Sequence, residues 1–183
     1  MQTKPEFHNA TVAVTELPGL PGEPPYPVQI ALPGISTFRE GYVLRFEPEN
    51  GESWVGNFQT GISCYSAFHE LQTGRVAVIA GGQGYVVDVY RKELLFAFGG
   101  DVMCLLPIEG STDFLTIGNI DIERHSSTQL VWSSARLAWD GIGRLELEGG
   151  ALLGQARHFD DTWHSFRVDL VTGWHTGGAY PEA

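Results

Sequence analysis

Short apolar segments, each closed by a glycine or by an Asn-Gly, Asp-Gly or Thr-Gly pair, follow one another along most of this chain. The 183 residues include 23 glycines, and glycine is the residue that most easily adopts the positive φ angles of tight turns. The segments between the turns are rich in valine, isoleucine, leucine and aromatic residues, as β-strands are. This pattern leaves little room for helices and predicts an all-β protein built from short strands.

Individual strands can be assigned from these apolar runs. The one helix candidate is residues 63–72, where apolar side chains recur at every third position, a period that suits a turn of helix as well as a loop. We predict strands over residues 42–46, 53–58, 76–80, 85–90, 94–98, 102–106, 114–117, 120–123, 129–133, 136–139, 144–148, 151–156 and 164–170.

A weak internal repeat narrows the choice of architecture. Residues 42–46, 85–89 and 166–170 resemble one another, and residues 119–123 are a poorer copy. The copies belong to hairpins within blocks of about 40 residues, the length of a propeller blade. We therefore predict an antiparallel meander of propeller-blade-like hairpins, a partial propeller, with a two-sheet β-sandwich as the alternative. Either arrangement leaves sheet edges that could pair in a homodimer.

The N-terminal part differs from the rest in its proline content. Proline lacks the N–H that a central strand needs and fixes φ, so this part cannot form a central strand. We predict a single domain over residues 1–183, in which residues 1–36 form a proline-rich arm packed on the β body, with a short edge strand at residues 28–32. The prolines concerned are Pro18, Pro21, Pro24, Pro25, Pro27 and Pro33.

The charge balance restricts the classes of partner. The formal net charge is −11, which repels nucleic-acid phosphates and anionic lipid headgroups. A basic protein or a cation is the natural complement. The chain shows no apolar signal region at residues 1–8 and no apolar run of about 18 residues, so we expect a cytoplasmic protein without a membrane span. Its two cysteines form no C-x-x-C pair, so a thiolate zinc site is not indicated.

Three stretches in the second half of the chain support a family resemblance. They are Gly82-Gln-Gly-Tyr-Val-Val-Asp88, Ser134-Ala-Arg-Leu-Ala-Trp-Asp-Gly141 and Val168-Asp-Leu-Val-Thr-Gly173, the last followed by Gly177-Gly178. Over about residues 80–180 the chain resembles an uncharacterised group of bacterial β-proteins of similar length. The resemblance implies a bacterial β-domain. Its motifs are turn and strand residues, so it implies no activity and carries over no site.

The densest polar cluster lies between the last two long predicted strands. If residues 159–163 form the loop of a hairpin, His158 and His164 face each other across the strands, close enough to share a metal. Asp160 would add an oxygen ligand, which gives a site of the type that binds a divalent metal such as zinc. The same loop carries Asp161 and Trp163, and with Asp160 and the more distant Trp174 these are our candidate binding residues.

No catalytic signature accompanies this cluster. The run Gly81-Gly-Gln-Gly84 follows a strand but precedes another strand, so it lacks the helix N-terminus of a phosphate-binding loop. We therefore expect no cofactor, and binding rather than catalysis: a non-catalytic protein whose acidic surface masks a basic protein partner, in the manner of a bacterial immunity protein. The alternatives are a metal-binding domain or metal-dependent enzyme centred on the 158–164 loop, and a carbohydrate-binding domain that uses Trp163 and Trp174.

Overall fold

A computed structural model describes residues 12–35, 38–72 and 74–180. Within these ranges the chain forms sixteen β-strands arranged in four four-stranded sheets. The strands are β1 (Val12–Glu16), β2 (Val28–Ile30), β3 (Tyr42–Pro48), β4 (Trp54–Phe58), β5 (Ala67–Gln72), β6 (Arg75–Ala80), β7 (Gln83–Asp88), β8 (Glu93–Gly99), β9 (Cys104–Pro107), β10 (Phe114–Ile117), β11 (Ile122–His125), β12 (Leu130–Ser133), β13 (Ile142–Glu148), β14 (Ala151–Arg157), β15 (Trp163–Asp169) and β16 (His175–Gly177). The all-β prediction is confirmed. In this part of the chain there is no helix that could cross a membrane.

The sheets follow one another in chain order. The first has the strand order β1-β3-β4-β2, and the other three, β5–β8, β9–β12 and β13–β16, are antiparallel meanders in which each strand pairs with the next. Four blade-like sheets in succession confirm the partial propeller. The alternative of a two-sheet sandwich is wrong, because the strands of the described residues divide among four sheets rather than two.

Each sheet shares a hydrophobic core with the next one along the chain. The first core joins sheets one and two through aromatic rings: the Phe46 and Trp54 rings stack at 4.5 Å, and Phe58 lies 5.6 Å from Tyr85. A smaller core around Phe114 joins sheets two and three, and a third core joins sheets three and four. This packing buries the apolar face of each central strand.

Several strand assignments need correction. The helix candidate at residues 63–72 is wrong, because residues 67–72 form β5 and pair with β6; the neighbouring strand decides the local conformation. Residues 136–139 are not a strand. They belong to a linker in which the N–H groups of Leu137 and Ala138 both donate to Ile120 O. Strands β1 and β16 were not predicted.

The described part of the proline-rich arm contributes strands to the first sheet. Strand β1 pairs antiparallel with β3, and β2 pairs in parallel with β4 at the edge. The buried Asn57 side chain ties this region together: its Nδ2 donates to Gln29 Oε1 at 2.8 Å and to Arg39 O at 3.0 Å, and its Oδ1 accepts from Gly41 N at 2.8 Å. Residues 1–11 and 36 of the predicted arm lie outside the described residues, and the boundary at 36 stays a prediction.

All connections between successive sheets lie at the same end of the strands, which we call the linker end. It contains the linkers 59–66, 100–103 and 134–141 and the turns 81–82, 118–121 and 158–162. Backbone hydrogen bonds connect these segments: Ser63 N donates to Gly81 O at 2.9 Å, and Gly141 N donates to Asn119 O at 2.8 Å. The strands' opposite end, which carries the turns 49–53, 89–92, 149–150 and 170–174, is called the hairpin end.

Candidate functional site

The candidate site predicted from the sequence lies in the turn between β14 and β15. Arg157 pairs with Trp163, so the loop comprises residues 158–162, one residue earlier than predicted. His158 N donates to Thr162 O at 2.9 Å, and Asp161 N donates to His158 O at 3.1 Å. Asp161 has a φ of 66°, a conformation that aspartate tolerates better than most residues. The loop is therefore closed by its own backbone and held in one shape.

A chain of side-chain hydrogen bonds runs through the loop. Asp160 Oδ1 accepts from Thr162 Oγ1 at 2.6 Å and from Thr162 N at 3.1 Å, and it lies 2.9 Å from His158 Nδ1. These bonds, that of the Thr162 hydroxyl foremost, hold the pKa of Asp160 well below its usual range. Because Thr162 donates its one hydroxyl hydrogen to Asp160, His164 Nε2 donates to Thr162 Oγ1 across 2.9 Å.

The three predicted metal ligands lie together. The ring centroids of His158 and His164 are 5.4 Å apart, and Asp160 lies beside His158. However, one ring nitrogen of each histidine already takes part in the hydrogen-bond chain, and no group of three or more His, Cys, Asp or Glu side chains in the described ranges is placed to hold a metal ion. A metal would have to replace some of the bonds around Thr162, so metal binding stays a prediction.

The four predicted binding residues do not form one surface. Asp160, Asp161 and Trp163 lie together at the linker end, where Arg157 Nε donates to Asp161 Oδ1 at 2.9 Å. Trp174 follows β15 at the hairpin end. At a rise of about 3.3 Å per residue, the length of β15 separates the two tryptophans by about 20 Å. Trp163 and Trp174 are both exposed, but they cannot form one carbohydrate platform.

A partly exposed aromatic patch next to the loop was missed in the sequence. It consists of Arg136, Trp139, Phe159 and Tyr180. Phe159 is 70 % exposed and meets Trp139 edge-on at 5.8 Å, and Trp139 lies 5.3 Å from Tyr180. The Arg136 guanidinium sits 4.4 Å from the Tyr180 ring centre. Tryptophan, tyrosine and arginine are the residues that most often dominate the energy of protein interfaces.

The sequence contained a weak signal for this patch. Residues 136–139 resemble a strand because Leu137 and Ala138 are apolar, and both are indeed buried. They are buried in a linker, where Trp139 N donates to Arg157 O at 2.9 Å and holds the tryptophan beside the 158–162 loop. A single exposed tryptophan next to an Asp-Gly turn was the available clue.

Comparison with known proteins adds few constraints. No protein-family model matches the chain, and no curated protein matches it. Similar solved structures include the WD40 β-propeller domain of Doa1, with 15 % identity over 73 % of this chain and 47 % of that one and a TM-score of 0.45. Another is a chain of the mitotic checkpoint complex, with 15 % identity over 93 % of this chain and 55 % of that one and a TM-score of 0.46. The chain thus spans about half the length of each. Function has to be argued from its own residues.

Proposed function

We propose that this chain is a non-catalytic binding protein that masks a basic protein partner at the 158–162 loop. The supporting observation is the loop itself: two exposed carboxylates, Asp160 and Asp161, stand beside the exposed rings of Phe159 and Trp163 on a backbone held by its own hydrogen bonds. Asp160 Oδ2 accepts no hydrogen bond from the described residues, so it is available to a lysine or arginine of the partner.

Three physical effects favour this function. A net charge of −11 accelerates the approach of a cationic partner at low ionic strength. The aromatic rings supply apolar area that is lost from water on binding. Because the loop is already ordered, binding loses less conformational entropy than binding by a flexible loop would.

A peptide selection tests the proposal without a known partner. We expect random peptides displayed on phage and selected on the immobilised chain at low ionic strength to be enriched in lysine and arginine. The double substitution Asp160→Asn/Asp161→Asn should lower the affinity of the chain for the selected peptides by about tenfold. The affinity of the unmodified chain should fall as salt is added. Isothermal titration calorimetry measures both effects.

The matched control is Glu47→Gln/Glu148→Gln, which removes two exposed charges from strand positions near the hairpin end. Its affinity for the selected peptides should stay within about twofold of the unmodified chain, since rim charges distant from a contact act weakly. Peptides without an excess of basic residues, or an equal loss of affinity in the control, would contradict the proposal.

The second candidate function is metal binding by His158, Asp160 and His164. It is favoured by the 5.4 Å separation of the two imidazoles. If it is correct, excess zinc should raise the melting temperature of untagged protein, because a ligand that binds the native state stabilises it. The increase should vanish in His158→Ala/His164→Ala. A melting temperature that zinc leaves unchanged would exclude this function.

Other expectations about partners remain predictions. Exclusion of nucleic acid and of anionic membranes follows from charge alone, and a cytoplasmic location and a homodimer through edge strands follow from the sequence pattern.

A further inference from the structure

A second feature of the linker end is a groove that runs across the ends of the first three sheets. Its first part is a cleft of about 350 Å³ bordered by Leu32, Ile62, Gln83 and Asp101. Its second part is a cleft of about 230 Å³ bordered by Asp101, Asp121 and Glu123 among others. Asp101 borders both clefts, so they adjoin. We call the two together the acidic groove.

The second part carries three carboxylates, of which, among the described residues, only Glu123 has a basic side chain beside it: His125 Nε2 lies 3.1 Å from Glu123 Oε2. A Cβ placed on Gly118 would lie 2.9 Å from Asp121 Oδ1 and 4.0 Å from Asp101 Oδ2, so both carboxylates border the same turn. No lysine or arginine of the described residues forms an ion pair with Asp101, Asp121 or Glu123. Burial raises the pKa of Asp121, and the negative charges of Glu123 and Asp101 raise it further. Asp101 and Asp121, which form no ion pair among the described residues, therefore give the groove negative charge.

The first part is bordered by a nearly buried glutamine whose acceptor atom reaches the cleft. Gln83 is only 5 % exposed, and its Nε2 donates to Phe98 O at 2.7 Å, which fixes the orientation of the amide. Its Oε1 accepts no hydrogen bond from any described residue, although the side chain borders the cleft. An acceptor held in this way at the cleft can bind a ligand that donates hydrogen bonds.

The chemistry of the lining specifies that ligand. Carboxylate and amide oxygens offer acceptors, and the side chains of Leu32 and Ile62 offer an apolar wall. A complementary group carries positive charge and several N–H donors at the end of an aliphatic stem. Among protein side chains, only lysine and arginine combine these properties.

We propose that the acidic groove binds a lysine or arginine side chain of the basic partner. This inference rests on the proposed function and adds a second contact to the 158–162 loop. One partner can reach both, because the groove and the loop lie at the same end of the strands and backbone hydrogen bonds link their turns: Gly141 N donates to Asn119 O, and Trp139 N to Arg157 O.

Small cations test the groove directly. We expect butylguanidinium and butylammonium to shift the backbone amide resonances of Gly100 and Gly118 and the side-chain amide of Gln83, in a saturable manner, in NMR titrations of the whole chain. The uncharged analogue n-butanol should leave these resonances unchanged. Absence of any shift at the groove, or an equal response to magnesium chloride without the organic cations, would overturn the inference.

The double substitution Asp101→Asn/Asp121→Asn should lower the affinity for butylguanidinium by about tenfold or more, since it removes two charge-assisted contacts. Folding can be checked separately. A raised pKa in the folded state means that ionised Asp121 destabilises the fold at neutral pH, so Asp121→Asn alone should raise the melting temperature. The control Glu47→Gln/Glu148→Gln should bind the cation as the unmodified chain does.

The two proposals fail separately. Suppose that the affinity for the selected basic peptides falls in Asp160→Asn/Asp161→Asn but is unchanged in Asp101→Asn/Asp121→Asn. The groove inference is then overturned and the proposed function stands. If they depend on Asp101 and Asp121 alone, the 158–162 loop is not the contact and the groove stands.

Discussion

Gly84, in the middle of the second sheet, shows how a missing side chain determines packing between sheets. A Cβ on Gly84 would lie 2.1 Å from a ring carbon of Phe98, so the ring fills the space that a side chain would need. From there Phe98 reaches the third sheet, with ring centres 5.7 Å from Phe114 and 4.2 Å from His125. One glycine thus permits an aromatic contact across two sheets.

Substitution of this glycine should be costly. We expect Gly84→Ala to lower the free energy of unfolding by about 1–3 kcal/mol, because the methyl group overpacks the site. Urea denaturation measures the change. Gly22→Ala is the matched control, since a Cβ at Gly22 meets nothing within 4 Å. Equal stability of the two variants would show that Phe98 does not occupy the space above Gly84.

At the scale of the element, the hairpin of β10 and β11 places a polar group inside the junction of sheets two and three. His125 is fully buried, and its Nε2 lies 3.0 Å from Thr116 Oγ1 and 3.1 Å from Glu123 Oε2. Its Nδ1 has no partner among the described residues. The Thr116 hydrogen bond links β11 to β10, and it holds the His125 ring where it packs on Phe98 of sheet two at 4.2 Å.

Removal of the threonine hydroxyl tests this role. We expect Thr116→Val to lower the free energy of unfolding by about 1–2 kcal/mol, because His125 loses a buried hydrogen-bond partner. Thr176→Val, at an exposed position of β16, should leave stability nearly unchanged. Thermal unfolding of both variants gives the comparison. If Thr116→Val is as stable as the control, the hydrogen bond does not contribute to the junction.

Elements were predictable from the sequence where their pattern is local. Strand β10, at Phe114–Ile117, agrees with the prediction at both ends because turn residues flank a short run of β-branched, aromatic and aliphatic residues. Strand β5 was missed because its residues do not alternate, and its pairing with β6 decides its conformation. The 158–162 loop was visible because its polar residues are adjacent in the chain. The acidic groove was not, since Gln83 comes from the start of β7, Asp101 from a linker and Asp121 from a turn.

At the scale of the whole molecule, the sheets contact one another in the order in which they occur along the chain. Each of the three core clusters joins two successive sheets, and the first and fourth sheets share neither a core cluster nor a strand pairing among the described residues. The sequence predicted the blade-like unit from its repeated hairpins, but the stacking of four sheets depends on contacts that no local pattern encodes. Such an arrangement resembles repeat proteins, whose stability is close to a sum of neighbour terms.

The position of all sheet-to-sheet linkers at one end has a mechanical consequence. A molecule that binds across these linkers touches segments from several sheets at once, whereas a molecule at the opposite end touches only separate hairpin turns. Occupation of the linker end would therefore brace neighbouring sheets against separating, and the bound protein would resist proteolysis at its junctions better than the free one.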